Sequence, residues 1–164
     1  MSAEQSNDVK PKRYRPNVAA IILSSTYPSE YRFFIAHRTD IKGAWQFPQG
    51  GIDEGESPRD ALLRELEEEI GTNDVEIISE CPEWVQYDFP NTMPKKMYKG
   101  YDGQRQKYFL VRIKDESKIN LQTDIPEFDK YQFVSIDEIF QYVTHFKRDT
   151  YKKILDYFKK EGCI

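Results

Sequence analysis

Cysteine is scarce in this chain: Cys81 and Cys163 are the only thiols among 164 residues, they are far apart, and only two histidines accompany them. That excludes a disulfide-stapled fold, and with no CxxC or His-rich spacing it leaves no zinc site, so both cysteines read as reduced thiols. Long apolar runs are missing too. No segment approaches the roughly 18 apolar residues of a membrane span, and the polar stretch Met1 to Arg13 lacks the apolar core of a signal peptide. A flexible tail over residues 1–13, one domain over 14–164 and a cytoplasmic location are therefore expected. Internal repeats and low-complexity segments are absent. A surplus of positive charge is absent as well: the net charge is −4, whereas proteins that grip long polyanions present a basic face. Basic residues gather only at Lys10 to Arg15, Lys95 to Lys99 and Lys147 to Lys153, a pattern suited to holding one charged end.

What is present is enough for a core, with 38% hydrophobic and 14% aromatic residues. Asn17 to Ser24 is a near-continuous apolar run of strand length, Arg32 to Ala36 alternates into a second strand, and Tyr27-Pro28-Ser29 between them reads as a turn. Val75 to Ser79 is β-branched, Trp84 to Phe89 is aromatic, Lys107 to Ile113 is a further strand, and Gln132 to Val134 gives a last short one. Pro90 to Gly103 reads as a long loop over a site. Ser135 caps a helix through about Val143, and Lys147 to Lys160 is amphipathic, with Tyr151, Ile154, Leu155 and Phe158 on one face. Strands flanked by helices on two sides predict an α/β sandwich.

The most informative stretch is Gly50 to Thr72, GGIDEGESPRDALLRELEEEIGT. Ser57 is placed as an N-cap, Pro58 as the first helical residue and Gly71 as a left-handed end, which predicts a helix over 58–70. Leu62, Leu66 and Ile70 form its apolar stripe, and Glu65, Glu68 and Glu69 cluster beside it, with Glu67 pointing elsewhere. Like charges at such spacing cost about 0.2 to 0.5 kcal/mol per pair. Two readings follow: a solvated face tied down by Arg64, or a patch that holds a cation. The preceding loop favours the second, since Gly50, Gly51 and Gly55 can take positive φ or let a ligand approach the backbone, and Glu56 adds a fourth carboxylate. Hard oxygens on a rigid helix suit Mg²⁺ or Mn²⁺.

The stretch resembles the signature of the Nudix hydrolases, G-x5-E-x7-R-E-U-x-E-E-x-G-U with U bulky and aliphatic. Gly50, Glu56, Arg64, Glu65, Leu66, Glu68, Glu69 and Gly71 match eight of the nine fixed positions, and Thr72 replaces the last aliphatic one, a packing position. YRPNV (14–18), WQFPQGG (45–51), GQRQKYFL (103–110), PEF (126–128) and FKRDTY (146–151) look like the bacterial RNA pyrophosphohydrolase branch, also described as dinucleoside polyphosphate hydrolases.

The resemblance implies a Nudix-type α/β/α sandwich with a mixed β-sheet, and hydrolysis of a phosphoanhydride with Mg²⁺ or Mn²⁺. It implies metal ligation by Glu65, Glu68, Glu69 and the Gly50 carbonyl, with Glu127 as a further acidic position. Glu65, Glu68 and Glu127 are the candidate catalytic carboxylates. Arg64, beside Glu56, reads as a structural partner, because a guanidinium fork matches carboxylates. Arg15 and Arg38 match positions near the 5′-phosphates, and Phe146 and Lys147 precede the last helix where an aromatic can stack on a base. Tyr87 resembles a tyrosine of the dinucleoside polyphosphate members, and it reads equally as core. The expected partner is the 5′ end of RNA, which becomes a monophosphate end; the alternatives are a dinucleoside polyphosphate, or a non-catalytic nucleotide or RNA-end binding module on the same fold.

Overall fold

The computed structural model describes residues 10–164; of the expected tail, residues 1–9 lie outside the described residues. Two long strands, β1 (Tyr14–Leu23) and β7 (Gly103–Ile113), run parallel from Tyr14↔Gly103 to Leu23↔Arg112. Their central residues are buried on both faces, which explains the near-continuous apolar runs. The pleat divides them: Ala19, Ile21 and Leu23 with Tyr108 and Leu110 face one layer, while Val18, Ala20 and Ile22 with Phe109 and Val111 face the other.

The far edge of β7 carries β5 (Val75–Glu80) and β6 (Val85–Asp88), both antiparallel. On the other side, β1 meets β2 (Phe33–Arg38) at Leu23↔Phe33 only, and the two strands then part. β4 (Gln49–Gly51) bonds the freed edge of β1, β3 (Trp45–Gln46) bonds β2, and β8 (Phe128–Val134) covers the outer edge of β2. The wedge between β1 and β2 is where the cleft forms.

Helix α1 (Pro58–Ile70) packs Ala61, Leu62, Leu66 and Ile70 on one face of the sheet. Ser57 Oγ accepts the Asp60 N–H at 3.1 Å, and Gly71 closes the helix at φ 78°. The other face is covered by α2 (Ile136–Tyr142), started by a Ser135/Glu138 capping box, and by α3 (Arg148–Lys160), whose Tyr151, Ile154, Leu155 and Phe158 are buried. Each such side chain contributes about 1.5 to 3 kcal/mol of burial. The result is an α/β/α sandwich with a mixed sheet, the expected class. Among the described residues no helix is long and apolar enough to cross a membrane.

The strands differ from expectation at their polar ends. β1 begins at Tyr14 instead of Asn17, β7 at Gly103 instead of Lys107, β2 runs on to Arg38, and β8 begins at Phe128 instead of Gln132. In the missed part of β7, Gln104 and Gln106 are buried yet polar, so hydropathy hides their strand character. β3 and β4, too short to show a period, lay inside WQFPQGG.

Candidate active site

Strand β4 places two adjacent glycines with their missing side chains on opposite faces of the sheet. A Cβ on Gly50 would fall within the Glu65 carboxylate of α1, and a Cβ on Gly51 would fall on the Arg15 guanidinium. The acidic helix and the first phosphate-binding candidate therefore reach the same strand from its two sides.

The glutamates of α1 occupy three different environments. Glu68 is 58% exposed, Glu65 only 15%, and Glu69 is buried with neither carboxylate oxygen hydrogen-bonded. Burial raises the Glu69 pKa well above the usual carboxylate range, and the charges of Glu127 and Glu65 add to the shift. Burial raises Glu65 too, against the opposing pull of Arg64. Glu127, exposed at the approach to β8, thus closes the patch from a distant part of the chain; its carbonyl accepts the Thr39 N–H at 3.0 Å.

Arg64 holds the lower side of the patch together. Its Nε and Nη2 donate to both oxygens of Glu56 at 2.8 Å, Nη2 also donates to the Gly51 carbonyl at 2.8 Å, and Nη1 donates to Glu65 at 2.9 Å and Glu68 at 3.3 Å. This fork pulls the Glu56 pKa down to about 2, and the Asp53 N–H, donated to the same carboxylate, helps. Glu56 is thereby committed to Arg64. Among the described residues no three Asp, Glu, His or Cys groups converge as a ready metal cage, and Arg64 bonds Glu65 and Glu68 at once. The buried oxygens of Glu69, which have no hydrogen-bond partner, still fit a cation, since an ion there would offset the charge that burial penalises.

Two joined cavities open above this patch. The polar one, about 490 Å³, is lined by Arg15, Arg38, Gly50, Gly51, Glu65 and Glu127. The more apolar one, about 570 Å³, is lined by Tyr87, Phe89, Met93, Met97, Phe146 and Lys147, and both share Arg38, Gln49 and Lys96. The loop expected over the site supplies Met93, Lys96 and Met97 to both. Arg38 is steadied by Asp40, at 2.8 and 2.6 Å.

Phe146 is 43% exposed, so it is a wall of the cleft and not a core residue; its ring centroid lies 5.4 Å from that of Tyr87. Tyr87 is half-buried on the wall, outside both core clusters, with its hydroxyl donating to Gln104. Lys147 is fully sequestered, its Nζ donating to Gln49 Oε1 at 2.8 Å, and desolvation drops its pKa to about 7.

Sequence reasoning missed the polar floor beneath these residues. Gln106 Nε2 donates to Asn17 and Gln49, both at 2.9 Å, and Tyr108 donates its hydroxyl to Gln106 Oε1 at 2.9 Å. His145 was also missed. Its Nε2–H donates to the Trp45 carbonyl at 2.8 Å while Nδ1 accepts the Lys147 N–H at 3.3 Å, which ties the Phe146 corner to β3 in a neutral tautomer. The repeated glutamines of WQFPQGG and GQRQ were the one available signal.

Comparison with known proteins identifies the family. The NUDIX domain model matches residues 13–158. An RNA pyrophosphohydrolase from a Nitratiruptor species is 66% identical over 151 residues, covering 92% of this chain and 97% of that protein. One from a Sulfurovum species is 65% identical over 154 residues, covering 93% and 98%. Among solved structures, the E. coli dihydroneopterin triphosphate pyrophosphohydrolase superposes with TM-score 0.64 at 17% identity, over 85% of this chain and 92% of that one, a likeness of fold. A family model that spans residues 13–158 and relatives matched along nearly their whole length, over a fold in which α1 carries the signature glutamates against β4, place this chain in the Nudix hydrolase family.

Proposed function

We propose that the chain hydrolyses the phosphoanhydride at the 5′ end of RNA, converting a triphosphate or diphosphate end to a monophosphate and releasing pyrophosphate or phosphate. The observation that carries the reading is Glu69, a buried and unpartnered carboxylate within the field of Glu65 and Glu127, beside a cleft whose other walls carry arginines. The names of the relatives support the substrate.

Glu65, Glu69, Glu127 and the Gly50 carbonyl would hold a divalent cation, Mg²⁺ or Mn²⁺, with Glu68 at the exposed rim. When bound, the ion offsets phosphate charge and makes a water acidic enough to yield hydroxide near neutral pH. The remaining work belongs to side chains. Arg15 and Arg38 clamp phosphate oxygens with two-pronged contacts that a lysine lacks, and Phe146 offers its exposed face to a base. Arg64 fixes the rotamers of Glu65 and Glu68, so that either meets the attacking water in position to take its proton, and Glu127, which lines the same cavity as Glu65, is the other candidate for that proton. A cytoplasmic location goes with such a substrate.

The apolar cavity favours one second reading, a dinucleoside polyphosphate, because Tyr87 and Phe146 stand where a nucleoside beyond the phosphates would lie. The test is RNA bearing a labelled 5′-triphosphate, incubated with Mg²⁺ and then with EDTA. Conversion to a monophosphate end in Mg²⁺ alone is expected; an unchanged triphosphate end in Mg²⁺ would reject the proposal.

A further inference from the structure

An acidic protein here carries a basic edge beside its cleft. Residues 10–15 and 88–105 hold eight Lys or Arg against two acidic residues, Asp88 and Asp102. The sheet brings these segments together, since Gly103 pairs with Tyr14 on one side and Asp88 on the other, and the Asp102 N–H donates to the Arg13 carbonyl at 2.7 Å. Both acids are engaged: Asp88 takes Lys12 and the Tyr14 hydroxyl, and Asp102 accepts the Arg13 backbone N–H at 2.7 Å. Among the described residues most of the remaining positive charge has no acidic partner.

Two of these cations lie on aromatic rings. Arg13 sits 5.2 Å over Tyr101, and Arg105, exposed between the buried Gln104 and Gln106, sits 4.3 Å over Trp84. Neither guanidinium makes an ion pair among the described residues. A guanidinium held against a ring by a cation–π contact can still turn donors outward to phosphate, at lower entropic cost than a loose side chain. Lys96 and Lys99 lead from the cleft toward this pair, with Lys99 in the left-handed region at φ 52°. Basic residues thus lead along the chain from the cleft mouth at Lys96 and Lys99 to Arg105, with Asp102 between them tied to the Arg13 N–H.

We propose that this edge binds the single-stranded RNA chain downstream of its 5′ end, with Arg13 on Tyr101 and Arg105 on Trp84 as its two contact points. Backbone phosphates supply the charge, and the rings and guanidinium planes accept any base, so the contact is insensitive to sequence. The proposal rests on the RNA-end reading and deepens it, because it makes the substrate a polymer instead of a dinucleotide.

The test measures kcat/KM on 5′-triphosphate RNAs of two and of about twelve nucleotides, for the unaltered protein and for Arg13→Ala/Arg105→Ala. Binding of 5′-hydroxyl RNA of the longer length is followed by anisotropy across a salt series. The unaltered protein should favour the long RNA by about tenfold at low salt, and the salt slope of binding should fall by about 1.4 in the variant, roughly 0.7 per lost phosphate contact. The variant should keep its melting temperature and its turnover of the dinucleotide. Equal turnover of both lengths by the unaltered protein would overturn the inference, as would equal loss on both lengths in the variant, or competition by polyglutamate as effective as that by RNA. If no 5′ end is hydrolysed but 5′-hydroxyl RNA still binds through these arginines, the tracking edge stands and the catalytic reading falls.

Discussion

Gly50 and Glu65 share one space: the carboxylate of the helix residue occupies the position that a side chain on the strand residue would need. Gly50 is not a conformational requirement, because its φ is not in the left-handed region. It is a steric one. Gly50→Ala should therefore displace Glu65 while the strand still forms, with turnover falling about 10²-fold or more, the scale for losing one electrostatic stabiliser. Turnover near the starting value, in a protein of unchanged melting temperature, would show that Glu65 is not needed where it sits.

Glu69→Gln separates metal binding from folding. The folded pKa of Glu69 lies above its unfolded value, so its contribution to stability is present at low pH and lost as pH rises through the folded value. Near pH 8 without metal, the neutral glutamine should raise the melting temperature while abolishing most turnover. Mg²⁺ or Mn²⁺ should stabilise the unaltered protein and leave the variant nearly unmoved. A variant that melts lower in EDTA and responds fully to the ion would contradict the assignment.

Phe146→Ala should cost turnover of RNA ends and little stability. A core phenylalanine would cost about 3 to 5 kcal/mol on truncation, but this ring is 43% exposed. The check is melting temperature beside kcat/KM: a large loss of stability with unchanged catalysis would return Phe146 to the core.

Lys147 makes a pH prediction of opposite sign to that of Glu69. Its folded pKa, about 7, lies below the 10.5 of the free side chain, so the unfolded chain binds more protons between those values and stability rises with pH across that window. Relative to Lys147→Met, the unaltered protein should gain roughly 2 kcal/mol between about pH 7 and pH 9. Parallel stability profiles for the two proteins would mean that the ammonium is not desolvated.

What the sequence disclosed was local. Ser57, Pro58 and Gly71 bound α1 because caps act within one turn, and the amphipathic stripe of α3 follows from a period that needs no tertiary partner. The parallel register of β1 and β7 joins residues some ninety positions apart, and its polar ends carry no hydropathy signal. Burial of Lys147 is invisible for the same reason, since its partner Gln49 lies 98 residues away. The three glutamates form one patch in sequence, but at roughly 100° per residue Glu69 stands about 20° from Leu62 at the edge of the apolar stripe, Glu65 about 60° and Glu68 about 120°, and their burial follows that order, Glu69 inside, Glu65 between and Glu68 outside.

The central claim is the chemistry at an RNA end, and a direct competition tests it. RNA with a labelled 5′-triphosphate and Ap4A are offered to the same enzyme with Mg²⁺, and kcat/KM is compared for each, with Glu69→Gln as the inactive reference. The account predicts faster conversion of the RNA end to a monophosphate, with both reactions lost in the variant. A higher kcat/KM for Ap4A, with the RNA end left as a triphosphate, would contradict it.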